Sequence, residues 1–199
     1  MVSSRRGANQ AFGTRAEAFS WARLQLDAAG IDLGEVQVVV DDGHQRVARR
    51  DDDLCVLPLL VDVVVTQSGY AGTRVPVLVE DTGLELLGLG GFPGPLIKWF
   101  LASVGPEGIC RVARAFGDGR AVARCLTCAF DGSEMVVGEG VVLGSIAAEL
   151  RGSGGFGWDP AFLPDDGGGR TYGEMDDDEK NAISHRRKAF VALRNALRR

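Results

Sequence analysis

The sequence predicts an α/β protein, and three observations carry that prediction. Residues 75–79 form a continuous apolar run of the kind found in strands covered on both faces, as in a parallel sheet. Helical patterns flank it: Phe19, Ala22, Leu26 and Ala29 recur at helical spacing before the strand, and residues 96–104 and 106–116 read as helices after it. Two later runs, 121–130 and 135–143, are joined by Asp131-Gly132 and read as an antiparallel hairpin, so the parallel pattern gives way to a meander.

The 199 residues, 45% of them hydrophobic, suffice for one substantial core, in one lobe or two. The most apolar window, 54–65, contains Pro58 and Asp62 and is shorter than the roughly 18 residues of a membrane span. Positive charge near the start is followed by no apolar segment, so a secretory signal is not expected and a soluble cytoplasmic protein is. The net charge of -5 argues against a nucleic-acid surface, which needs clustered Lys and Arg, while small phosphorylated ligands stay open. Cys125 and Cys128 have no second pair or histidine to complete a zinc set; they read as two thiols at opposite-phase positions of a strand. Lysine occurs only at Lys98, Lys180 and Lys188.

In chain order, residues 1–10 read as a flexible tail and 11–199 as a single domain. Thr14 is placed to cap a helix over 14–29 that Gly30 ends. Residues 36–40 read as a strand, closed by Asp41, Asp42 and Gly43. Residues 45–53 are charged, and 54–66 suit a helix or a strand, with the helix preferred. After the strand at 75–79, a loop over 88–95 leads to Pro95, which fits the first turn of a helix. Residues 152–160 form the most glycine-dense loop, and 161–163 a short apolar segment. A last helix is expected to start in the acidic cluster 176–179 and run to the end, with Ile183, Phe190, Leu193 and Leu197 on one face.

Three features exceed folding needs. Glu80 and Asp81 end an apolar strand, and adjacent carboxylates there are best tolerated around a divalent cation; a strand end capped by turn residues is the alternative. Phe156, Trp158 and Asp159 sit in the glycine-rich loop, where aromatic faces and a carboxylate suit a flat hydrogen-bonding ring; aromatic plugs in the core are the alternative. Lys180 and Ser184 lie one helical turn apart with His185 and Arg186 beyond, a run of donors for phosphate or a purine carbonyl, or else a solvated face. Lys98 adds a cation at a helix N-terminus that already favours anions.

Four segments together carry a resemblance: VEDTGL at 79–84, LGGFPGPLIKWF at 89–100, FGWDP at 156–160 and EKNAISHR at 179–186. In this order and spacing they resemble the signature blocks of the inosine triphosphate pyrophosphatase family, over about the last three-fifths of the chain. The resemblance implies an elongated α/β fold with a mixed sheet, flanking helices and two lobes around a central nucleotide-binding cleft. It implies a homodimer that hydrolyses non-standard purine nucleoside triphosphates (ITP, dITP, XTP) to the monophosphate and pyrophosphate with Mg2+ or Mn2+. By the same resemblance Asp81 binds metal and helps activate the attacking water, with Glu80 beside it. Thr82 and Lys98 contact the nucleotide, Phe156, Gly157 and Trp158 hold the base, and Asp159, Lys180, Ser184, His185 and Arg186 recognise the 6-keto purine.

The first third departs from the family pattern. Family members carry a Thr/Ser-Gly-Asn-x-x-Lys loop for the triphosphate; here Gly13 is kept and Glu17 stands at the lysine position, with Arg15 nearby. A second phosphate-binding lysine has no counterpart before Lys98, and Asp41, Asp42 and Asp53 are loose substitutes for an upstream metal-binding glutamate. The alternatives are therefore a non-catalytic or regulatory nucleotide-binding protein of the same fold, or a pyrophosphatase with altered nucleotide preference.

Overall fold

The computed structural model describes residues 76–198 together with the backbone of Gln37–Val39. The tail at 1–10, the helix expected at 14–29, the turn at 41–43 and the segment 54–66 lie outside the described residues. Strands β1 (Gln37–Val39), β2 (Val77–Leu86), β4 (Arg120–Phe130), β5 (Met135–Ile146) and β6 (Phe162–Pro164) form a sheet in the order β1-β2-β4-β5-β6, and β3 (Pro93–Gly94) pairs with β2. β1 runs parallel to β2, with Gln37 opposite Val77 and Val39 opposite Val79. The expected hairpin is present as β4 and β5, turned at Asp131, whose N–H donates to the Glu134 carbonyl at 3.3 Å. The architecture is the mixed α/β sheet that the sequence predicts.

β2 corrects one expectation. It begins with Val77, Leu78 and Val79, all buried, and then continues through Glu80, Asp81, Thr82 and Gly83 to Leu86. Leu84 and Glu85 pair with Gly94 and Pro93 of β3. The two carboxylates therefore lie mid-strand and not at a strand end. Asp, Thr and Gly favour turns locally, but pairing with neighbouring strands overrides that preference.

The helices expected at 96–104 and 106–116 are two halves of α1 (Ile97–Phe116). Gly105, at φ 71° and ψ 170°, breaks the helical geometry between them, and Pro106 follows. A residue before proline is driven out of the helical region, which places the kink there. The single last helix is also corrected: α2 (Asp177–Ile183) and α3 (His185–Leu197) are separated by Ser184, whose backbone is extended at φ -66° and ψ 149°. α2 opens with a reciprocal cap, the Asp176 carboxylate accepting from Glu179 N–H at 2.8 Å and the Glu179 carboxylate from Asp176 N–H at 3.1 Å.

The chain divides into two compact units. Among described residues, one contains Leu84–Ala123 and Val142–Ser184, and its core gathers Leu84, Ile109, Trp158, Phe162, Tyr172 and Met175. The other contains Arg124–Val141, the β2 residues through Gly83 and the described part of His185–Arg199. Here α3 lies against β5 at Gly138 and Gly140, where an added Cβ would stand 2.4 Å from the Ala189 carbonyl oxygen and 1.9 Å from that of His185. Only glycine permits so close an approach of helix to strand. Cys125 and Cys128, both buried, lie three residues apart on β4 and so on opposite faces, as expected. No helix among the described residues is long and apolar enough to cross a membrane.

Candidate active site

Two polar clusters form, one within each unit. In the first, the turn around Gly155 and Gly157, both at positive φ, brings Asp159 back onto its own loop. Asp159 is 1% exposed, and its Oδ2 accepts from the Phe156 N–H at 2.6 Å and from Lys180 Nζ at 2.5 Å. The same ammonium lies 4.5 Å from the centroid of the Phe156 ring and 5.6 Å from that of Tyr172. A carboxylate this buried requires a charged partner and hydrogen bonds together, and both are supplied. The result is a lysine held in one place between a carboxylate and aromatic faces, a fixed donor with a ring beside it.

A second layer holds this loop. Gly173 N–H donates to the Asp159 carbonyl at 3.0 Å, and Gly154 N–H to the Gly173 carbonyl at 2.8 Å. Thr171 Oγ1 donates to the Arg151 carbonyl at 2.7 Å, while the Arg151 guanidinium bridges the Glu174 carboxylate and the Gly169 carbonyl, both at 2.7 Å. The Thr171 N–H and the Arg151 side chain hold the Glu174 carboxyl below its ordinary 4.5.

Trp158 departs from its expected place. It is 4% exposed and packs edge-on against Phe162, with centroids 5.5 Å apart, and beside Tyr172 at 6.4 Å. The structure makes it a core ring, whereas Phe156 is half-buried and Gly157 exposed. The loop thus presents one aromatic face where two were expected.

The second cluster is built on β2. Successive strand residues project to opposite faces, so Glu80 and Thr82 share a face and Asp81 takes the other. Glu80 Oε1 accepts from Arg186 Nε at 2.7 Å, Thr82 Oγ1 at 2.9 Å and Cys125 Sγ at 3.5 Å. Glu80 and Arg186 side chains are 13% and 19% exposed, respectively. Burial, reinforced by Glu80, pushes the Cys125 thiol well above its usual range, so it stays protonated and donates. Glu80 and Asp81, expected side by side at one metal, leave β2 on opposite faces.

Lys98 is exposed on the first turn of α1. Ser184 and His185 are both 3% exposed, and Ser184 is non-helical, so it does not lie one helical turn from Lys180. Arg15, Glu17, Asp41, Asp42 and Asp53 lie outside the described residues. Two participants were not expected. Tyr172 follows Thr171, whose spacing to Glu174 is a capping-box signal that anchors this turn; Cys125 was read as a strand thiol, and only its pairing across to β2 reveals its carboxylate partner.

Fold and clusters define an α/β protein with a lysine-centred aromatic cluster in one unit and a strand-borne carboxylate cluster in the other. Comparison with known proteins gives the family: the Ham1 family model matches residues 63–196, and the chain belongs to that family. Inosine triphosphate pyrophosphatase 1 of Trypanosoma cruzi is 48% identical over 126 residues, covering 63% of this chain and 64% of that protein. Inosine triphosphate pyrophosphatase of Schizosaccharomyces pombe is 39% identical over 171 residues, covering 83% and 89%. The chain spans 64% and 65% of the lengths of the two Trypanosoma cruzi relatives that it matches. Among solved structures, a dITP/XTP pyrophosphatase from Mycobacterium abscessus aligns with a TM-score of 0.63 at 25% identity, over 94% of this chain and 96% of the other. A HAM1 protein from Coxiella burnetii aligns with a TM-score of 0.63 at 28% identity, over 69% and 74%.

Proposed function

We propose that this protein hydrolyses non-standard purine nucleoside triphosphates such as ITP, dITP and XTP to the monophosphate and pyrophosphate. The observation that carries the reading is Lys180, fixed 2.5 Å from Asp159 and 4.5 Å from the Phe156 ring centroid. A donor held beside an aromatic face accepts a purine whose 6-position is a keto oxygen; an amino group there would set a donor against a donor. The names of the relatives, which cite inosine triphosphate and dITP/XTP, support the same substrate class.

Within this reading Phe156 and Gly157 border the base and Lys180 supplies a donor to it, while His185 and Arg186 of the other unit are assigned as substrate donors. Asp159 orients Lys180, Ser184 joins the two helices that carry these donors, and Trp158 supports the loop from beneath. Thr82 and Lys98 serve the nucleotide, and Asp81 serves the attacking water. Mg2+, or Mn2+ in its place, is the proposed cofactor and would neutralise phosphate charge. Asp81 suits it as one oxygen ligand, but among the described residues no three acidic, histidine or cysteine side chains are placed together around a metal, and Glu80 is turned to Arg186. The remaining oxygens must therefore come from the triphosphate, water or residues outside those described.

The exposed side chains of Phe92, Leu96 and Trp99, close together in sequence, support a homodimer. We further propose a single two-lobed domain over 11–199, preceded by a tail at 1–10, and a cytoplasmic setting. Glu17 at the position of a family lysine supports a second reading, a nucleotide-binding protein with weak or altered turnover. Pyrophosphate release from ITP, XTP and the four standard triphosphates, with and without Mg2+, tests both. Preference for ITP and XTP that is abolished in Asp81→Asn is expected; equal and negligible release from all six would leave only the binder.

A further inference from the structure

Glu80 and Asp81 are neighbours in sequence but belong to different faces, and the Glu80 face is the one that α3 covers. Thr127 on β4 belongs to the same face as Cys125; its Oγ1 donates to the Gly138 carbonyl at 3.1 Å and lies 3.4 Å from that of Ala189 on α3. Glu80 Oε1 lies among Thr82 from its own strand, Cys125 from the neighbouring strand and Arg186 from the first turn of the helix. Oε1 thus accepts from donors on the sheet and on the helix at once.

We infer that Glu80 is a positioning residue for Arg186, a role that rests on the proposed nucleotide reading because it makes the Arg186 guanidinium a substrate donor. A guanidinium is a planar fork of five donors, and a hydrogen bond at Nε fixes that plane. Thr82 and Cys125 hold the carboxylate from the sheet side, so the strand, not the helix, dictates where the fork points. The rotamer freedom of Arg186 is then surrendered on folding and not on binding, which favours affinity. The pairing also offsets the arginine's charge. A guanidinium so compensated discriminates less in favour of anions, which suits a neutral carbonyl acceptor such as that of a 6-keto purine.

The test combines two measurements on Glu80→Gln, Arg186→Ala and the double variant: calorimetric binding of IMP without Mg2+, and steady-state ITP hydrolysis across a Mg2+ titration. Glu80→Gln is expected to weaken IMP binding about tenfold and to raise KM for ITP by a similar factor, the scale of one hydrogen bond to a charged group. kcat should hold within about twofold and half-saturation by Mg2+ should not move, as befits a group that acts only through Arg186. Added to Arg186→Ala, Glu80→Gln should have no further effect. Unchanged IMP affinity, additive effects in the double variant, or a shifted Mg2+ half-saturation would each overturn the inference. Should Glu80→Gln fold poorly, Cys125→Ala removes one supporting donor and should weaken IMP binding about two- to threefold; no change there overturns it equally. Absence of ITP turnover in the wild type would refute the proposed function, whereas the IMP cycle decides the role of Glu80 on its own.

Discussion

The ammonium of Lys180 lies 2.5 Å from the Asp159 carboxylate, and that carboxylate is simultaneously bonded by the main-chain N–H of Phe156 at 2.6 Å. Loop conformation and lysine position are thus set by one oxygen, Oδ2. Removing either charge leaves the other with a burial cost that it cannot offset locally.

Lys180→Met should therefore affect both stability and recognition. Loss of one member of a buried pair costs about 3 to 5 kcal/mol, and the partial exposure of Lys180 places the expected loss at the low end, about 3 kcal/mol. KM for ITP is expected to rise at least about tenfold, the scale of a lost charged hydrogen bond. Urea denaturation and initial-rate kinetics on the same preparation check the two effects separately.

Gly155 tests whether the loop geometry is required. At φ +70° it occupies the left-handed region, and a Cβ there would stand 2.1 Å from Asp159 Oδ2. Gly155→Ala should cost more than the roughly 1 to 3 kcal/mol of the backbone conformation alone, since Asp159 must also shift. Gly168→Ala is the control: φ is +62° there, but nothing lies within 4 Å of the added carbon. Comparable Tm losses in the two variants would show that the contact with Asp159 does not matter.

Trp158 should behave as a core ring. Trp158→Ala is expected to destabilise by about 3 to 5 kcal/mol, as large aromatic deletions from a packed interior do. Trp158→Phe should retain KM for ITP with a smaller loss of Tm. A large rise in KM for the phenylalanine variant with unchanged Tm would instead return Trp158 to direct contact with the base.

Acid should weaken the layer behind the loop. Glu174 titrates below its ordinary 4.5 in the folded chain because it accepts from the Thr171 N–H and pairs with Arg151. A carboxylate lowered on folding stabilises above its unfolded value, and that contribution disappears as pH falls through the folded one. Tm should be insensitive to this group at neutral pH and fall below pH 4.5. In Glu174→Gln the Tm at neutral pH should be lower and its decline toward acid shallower; an identical slope would show that Glu174 contributes nothing to acid sensitivity.

Much of this was legible in the residues. The hairpin over β4 and β5 follows from two apolar runs around Asp131-Gly132, and α2 from its acidic start. The four segments resembling the pyrophosphatase family also led to the family that the comparisons give. What stayed hidden depended on partners distant in sequence. The extension of β2 through Glu80, Asp81, Thr82 and Gly83 runs against local turn preference and follows from pairing with other strands. The break at Ser184 leaves only the weak mark of a residue that favours helix N-caps, amid neighbours all compatible with a helix. The burial of Trp158 could not be told from exposure, since an aromatic ring beside glycines serves a core or a ligand equally well.

Gly138 and Gly140 carry a consequence that reaches beyond β5. By offering no side chains they let the backbone of α3 settle against the strand, and this places the first turn of the helix, with Arg186, within reach of a carboxylate on β2. A single methyl group added at position 140 would thus act as a wedge, felt less where it is inserted than 46 positions downstream, at Arg186, in the aim of a guanidinium that it never touches.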